Sequence, residues 1–331
     1  MMRKKVIYGA VCLLAVVATV AALLDDSESG SSQRFPASTR ANYKSLSACE
    51  KQDVLWKLIQ ESAYSELPDY KALGLTQIIG MGRQEVAIKG SRYDDFAPKG
   101  WTKFLHARAS ISKVKIVPHQ NKYSGIFQGA DCGLLRLSLT SAVKSGRPVA
   151  PGLALKILRD GTYSTNVSAL VSLDGQGQDY NFFKYPMSNI VPIGTSFGQK
   201  LVHRIFLSAS PYPEELAVRE LAEQDQKGLN VAQVTSPRQL FFVPLAELSF
   251  SSDAHDVRKD FAKIPVNTVI YQIRAVSEKY KDFKYADYAP ENVKVLLENS
   301  ELVADIVTTS EFVSSSFGDD GIFFRHQLKH R

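Results

Sequence analysis

Four side chains set among apolar segments carry most of the chemical capacity of this chain: His106, Arg136, Ser138 and Asn166. The imidazole of His106, between Leu105 and Ala107, can accept and return a proton near neutral pH. Arg136 stands between Leu135 and Leu137, and Ser138 follows two residues on, so both share one face of a strand. A guanidinium turned inward requires an anion, because an unpaired buried charge is costly. A carboxylate or propionate on a ligand would serve, and so would Asp131 or Asp160. Asn166 offers a donor and an acceptor, and it also opens the glycosylation sequon Asn166-Val167-Ser168. The two roles exclude each other: a glycosylated asparagine faces solvent, a catalytic one faces a cavity.

These residues lie on segments that read as short strands, 105–108, 134–138, 152–156 and 164–168, where apolar and polar residues alternate between Gly, Pro or Asp-Gly punctuation. The pattern resumes at 239–243, 268–274, 305–308 and 321–326. Between the two groups, 181–213 is irregular, and 213–226 (PEELAVRELAEQDQ) has Pro in its first turn, acids near its start and Gly228 beyond its end, the marks of a helix. Ser45 or Ser47 can cap an earlier helix through Leu55, Trp56 and Ile59, with a second short one near 70–75. The fold expected is α+β: an antiparallel β-barrel of about eight strands with a helical insertion and an N-terminal helical arm outside it. His106 and Arg136 are expected to face the interior, with Ser138 on the face of Arg136.

The N-terminus gives a cellular signal. Arg3-Lys4-Lys5 precedes a nearly unbroken apolar run, 6–24, about the length a membrane-spanning helix needs. It reads first as an uncleaved signal anchor with its basic end cytoplasmic. With small residues at Ala18, Ala21 and Ala22 it reads second as a signal peptide. The division is then 1–24 anchor or signal, 25–44 a Ser-, Gly- and acid-rich tether, and 45–331 a barrel domain on the non-cytoplasmic side. The net charge of +6 is mild and forms no basic stripe with interleaved aromatics, which argues against nucleic acid. Cys49 and Cys132 could form one disulfide, and the chain has no CxxC or HExxH spacing for zinc. The glycine runs at 79–82 and 175–177 lack the strand–loop–helix setting of a phosphate site and read as turns.

Taken in order, these pieces resemble the haem-dependent catalase superfamily. Leu105-His106-Ala107-Arg108-Ala109-Ser110 is similar to the segment that carries the family's distal histidine, and Arg136-Leu137-Ser138 to the strand whose Arg binds a haem propionate and whose Ser orients that histidine. Gly152-Leu153-Ala154-Leu155-Lys156 resembles the next strand, and Asn166 falls where the distal asparagine would lie. The resemblance spans 95–328 and implies a haem cofactor, with Arg136 and Arg108 binding it and His106, Asn166 and Ser138 catalytic. The chain departs from the family in two ways. The family's proximal tyrosine, in an Arg-x-x-x-Tyr setting after the barrel, has no counterpart near Arg331, and Asn166 lacks its tandem partner. Tyr280, Tyr285 and Tyr288 lie between strands.

Three readings follow. The first is a membrane-tethered, haem-dependent catalase- or peroxidase-like enzyme acting on hydrogen peroxide or an organic or lipid hydroperoxide. The second is a haem-free barrel of the same fold holding an apolar ligand. The third is an interaction module whose cavity is filled by its own side chains.

Overall fold

The structure, a computed structural model, describes residues 42–61, 95–96, 108–119, 131–139, 151–161, 164–171, 183, 185–188, 240–245, 258–276, 290–314, 322 and 324. Eight strands form one antiparallel sheet in sequence order: β1 (Arg108–Pro118), β2 (Cys132–Leu139), β3 (Pro151–Ile157), β4 (Thr165–Val171), β5 (Met187–Ser188), β6 (Leu240–Pro244), β7 (Val269–Ala275) and β8 (Glu301–Thr308). β1 pairs with β2 along one edge and with β8 along the other, so the ladder returns to its start as an up-and-down barrel. The β4–β5–β6 side is held by two-residue ladders alone. A short β9 (Val313–Ser314) extends the β8 edge along β1.

Alternation along the strands divides the sheet into two faces, and both are buried. The inner face is filled by apolar residues from all eight strands, among them Val114, Leu135, Leu155, Val167, Met187, Phe242, Ile273 and Ile306. Phe183 stacks on Tyr271 at 5.6 Å, and Phe261, from the one-turn helix α2 (Arg258–Phe261), meets Phe183 at 6.1 Å and Phe312 at 5.7 Å. Eight strands leave an interior about wide enough for side chains to fill. Here they fill it.

The outer face of β1–β4 is covered by helix α1 (Ala48–Glu61) and by Tyr43, Phe96, Ile322 and Phe324 from distant parts of the chain. Ser47 caps α1 reciprocally with Glu50: the Ser47 N–H donates to Glu50 Oε2 at 2.8 Å, and the Glu50 N–H donates to Ser47 Oγ at 3.4 Å. Leu55 and Ile59, four residues apart and therefore on one face, are fully buried against Phe96, Leu134, Ile322 and Phe324. Polar ties add to this packing. Gln52 Nε2 donates to the facing carbonyls of Val114 (2.9 Å) and Gly133 (2.6 Å), and Lys51 Nζ donates to the Arg159 carbonyl at 2.5 Å. Cys49 and Cys132 form a disulfide that staples the helix to β2 across 83 residues. Closing so long a loop in the unfolded chain is worth about 4–5 kcal/mol in the chain-entropy account.

The capped helix over Leu55 and Ile59, the arm outside the sheet and the strands expected at 134–138, 152–156 and 164–168 match the sequence expectation, whereas the first strand runs over Arg108–Pro118 and shares only Arg108 with the 105–108 expected. Of the strand expected at 321–326, only Ile322 and Phe324 are among the described residues, and neither belongs to a strand of the barrel. Ile322 makes an isolated bridge with Phe96, and the eighth place in the ring belongs to the two-residue β5, too short to carry an alternation. Helix α3 (Pro290–Glu298), before β8, was not anticipated. The expected helices at 213–226 and 70–75, and the apolar run 6–24, lie outside the described residues. Among those described, no helix is long and apolar enough to cross a membrane.

Gly133 shows how closely β2 and β3 approach. A Cβ there would stand 2.6 Å from the Lys156 carbonyl oxygen, a backbone atom that cannot swing aside. Gly133→Ala is expected to cost about 1–3 kcal/mol by overpacking, read as a lowered thermal midpoint with unchanged secondary structure in the remaining folded protein.

Candidate functional site

Arg136 and Ser138 sit on the outer face of β2, because the residues between them, Leu135 and Leu137, belong to the inner core. Asn166 sits on the outer face of β4, alternating with inward Val167. Register aligns the rows across the sheet: Ile111–Arg136–Ala154–Ser168, and beside it Leu134–Lys156–Asn166. The three predicted residues are thus brought onto one buried face, at 4%, 4% and 6% exposure. It is the face opposite the one expected for Arg136. The reason is the apolar effect itself: in a barrel this narrow the apolar member of each alternation fills the inside, which turns the polar member outward. Ser138 Oγ donates to the Gly152 carbonyl at 3.4 Å on the neighbouring strand.

His106 lies outside the described residues. Arg108 begins β1 paired with Leu139, a register position on the inner face, whereas Arg136 pairs with Ile111 of the outer cluster. Positions on opposite faces of one sheet do not converge on one cofactor. Asp160, weighed as a partner for Arg136, accepts the Ala48 N–H at 2.6 Å.

The chemistry gathered most tightly on this face was not foreseen. Lys156, fully buried, places its Nζ 2.8 Å from Asp95 Oδ1 and donates to Ser164 Oγ at 2.9 Å. Asp95 also accepts the Tyr43 hydroxyl at 3.0 Å, the Ser164 N–H at 3.4 Å and a short bond from the Ser164 hydroxyl. The ammonium lies 5.4 Å from the centre of the Phe324 ring. Burial pushes the Asp95 carboxyl up, but the charge and hydrogen bond of Lys156, with the bonds from Ser164 and Tyr43, outweigh it and hold the group below its ordinary value. Asn166 Nδ2 donates to Ser164 Oγ at 3.3 Å, which joins the predicted asparagine to this network, while its Oδ1 is buried without a partner. An amide enclosed in this way leaves no room for a glycan, so burial decides against the sequon. The available signal was Lys156 itself: a lone cation in a strand otherwise made of Gly, Ala, Leu and Ile calls for a buried counter-charge.

The arrangement is a sealed ion pair rather than a reaction centre. The Lys156 amine donates to Asp95 and to Ser164, and the Ser164 hydroxyl itself donates to Asp95. Among the described residues, Arg108 and Arg136 take register positions on opposite faces, and Tyr43, Phe96 and Phe324 pack on the outer face beside Asn166 and Lys156. Of the described tyrosines, Tyr43 is bonded to Asp95, Tyr271 lies in the inner core and Tyr185 packs, partly buried, against that core. Tyr280, Tyr285 and Tyr288 lie outside the described residues. Comparison with family models, with curated proteins and with solved structures finds no match, which leaves the residues themselves as the ground for any functional argument.

Because the pair is dry and fully bonded, removing one member strands the other. Lys156→Met or Asp95→Asn is expected to cost about 3–5 kcal/mol in urea unfolding, and the double variant to recover most of that loss. The depressed Asp95 group contributes stability that is present above its unfolded value, about 3.9, and is lost as pH falls through its lower folded value. The wild type should therefore lose this contribution only at acidity below the ordinary carboxylate range, and Asp95→Asn should show no such step.

Proposed function

We propose that the chain is a haem-free barrel acting as a tethered interaction module, working through its surface rather than through an internal ligand site. The observation that carries this reading is the inner face of the barrel, whose described residues form one buried apolar cluster drawn from all eight strands. The disulfide supports an oxidising compartment, in keeping with an apolar leader that would place the domain on the non-cytoplasmic side of a membrane.

One observation favours the haem-dependent, catalase-like reading: Arg136, Ser138 and Asn166 share one buried face, as the resemblance implies. Under that reading the substrate is a peroxide or hydroperoxide, and His106 is the proton carrier.

A single preparation separates the readings. The full chain, produced with haem supplied and purified in detergent, is expected to lack a Soret band. Its organic extract is expected to contain no lipid at one molecule per chain. A Soret band at one haem per chain, with peroxide turnover lost in His106→Ala, would replace this reading with the enzyme. A stoichiometric lipid would replace it with the apolar-ligand barrel.

A further inference from the structure

We propose that the Cys49–Cys132 disulfide is a thiol-exchange site, opened by a dithiol that enters the cleft beside it while the barrel stays folded. The two sulfur-bearing residues help to line an open cleft of about 470 Å³, together with Gln52, Lys115, Asp131 and Thr309. Cys49 is exposed and Cys132 half-buried, so an attacking sulfur can reach the bond without unfolding the chain. Attack by thiolate on disulfide needs that access before anything else.

Both leaving positions stabilise a thiolate. Cys49 is the second residue of α1, directly behind the Ser47 cap, where the N–H groups of a helix favour negative charge. Cys132 stands directly opposite Lys115 in the β1–β2 ladder, and both line the cleft. Lys113, on the same cleft, is paired with Asp53 at 2.8 Å, and Asp131 beside Cys132 supplies the opposing charge. The reaction balances as an exchange of two electrons. One thiolate of the dithiol attacks Cys49 Sγ, the Cys49–Cys132 bond breaks, and Cys132 leaves as a thiolate facing Lys115. The second thiolate of the dithiol then attacks its own sulfur in the mixed disulfide and expels Cys49. The dithiol ends oxidised to its disulfide, and the protein ends with two thiols that take up the two protons.

The helix is not released when the bond opens. Gln52 still bridges the Val114 and Gly133 carbonyls, Lys51 still holds the Arg159 carbonyl, Asp160 still accepts the Ala48 N–H, and Leu55 and Ile59 remain packed. The thiols therefore stay side by side. A monothiol caught on Cys49 is expelled again by Cys132, which is why the productive partner is a dithiol.

The test is reduction of the full chain by dithiothreitol without denaturant, with alkylated Cys49 and Cys132 counted separately from Cys12 by peptide mass spectrometry. The expected result is a rate proportional to dithiothreitol and insensitive to low urea, with glutathione at equal thiol concentration giving little net reduction and circular dichroism unchanged. Lys115→Glu should slow the reaction roughly three- to tenfold, Lys115→Arg should leave it near wild type, and Asp131→Asn should speed it. A rate that is independent of dithiothreitol and rises with urea would overturn the proposal, because the bond would then open only by global unfolding. An unchanged rate in Lys115→Glu would overturn the assigned leaving group.

Discussion

The outer half of this fold depends on one ion pair, Lys156 with Asp95, enclosed at 0% and 2% side-chain exposure. Two charges removed from water are tolerable only if their mutual attraction is joined by hydrogen bonds to the remaining lone pairs and protons. Supplying those bonds brings separate pieces of chain to one point. Lys156 comes from β3, Ser164 from the approach to β4, Asp95 from before β1, Tyr43 from the arm ahead of α1, and Phe324 from near the C-terminus. Each lies far in sequence from most of the others, so the pair fixes where the ends of the domain cross the barrel. An apolar pair of equal volume could match its stability but not its directional demand for these partners.

The disulfide and the pair divide the work of holding the same cover. The staple restrains α1 at its first turn against β2, where the cleft lets solvent in, and the ion pair holds the opposite, dry side of the cover over β3 and β4. Gln52 lies between them, with its amide on the carbonyls of both β1 and β2. The helix is thus tied at several separate points by bonds of different chemistry, and loss of any one leaves the others in place. This explains why an exposed, reducible bond can exist in a domain whose cover must not lift.

How much of this was legible in the sequence turns on what alternation can say. In β2, Leu135 and Leu137 alternate with Arg136 and Ser138 plainly enough to give the strand, and the cap at Ser47 with Leu55 and Ile59 gave the helix. Alternation separates two faces but does not name the inner one. Leu134 is as buried as Leu135 although they point to opposite sides, because α1 covers the outside. Treating the polar residues as a site placed Arg136 inside, whereas elementary burial places it outside, and burial was the better guide. The ring closure was misassigned for a different reason. β5 is two residues long and has no pattern of its own, so its place is set only by its neighbours β4 and β6, while 321–326 is patterned like a strand and yet Ile322 bridges to Phe96. Asp95 and Tyr43 could not have been found by spacing, since nothing local marks either one, but Lys156 marked the need for them.

A filled eight-strand barrel has consequences for where action can lie. Inward positions are committed to packing, and enlarging any of them strains neighbours on several strands at once. Chemical variety is left to the outward positions, and on β2–β4 those positions are already sealed under the arm at a few per cent exposure. The cleft beside Cys49 and Cys132 lies on the seam where the cover meets the barrel. The strands β2 to β4 serve as the floor under this cover, with Arg136, Ser138 and Asn166 buried in it: Ser138 ties β2 to the Gly152 carbonyl of β3, and Asn166 joins the network around Lys156 through Ser164.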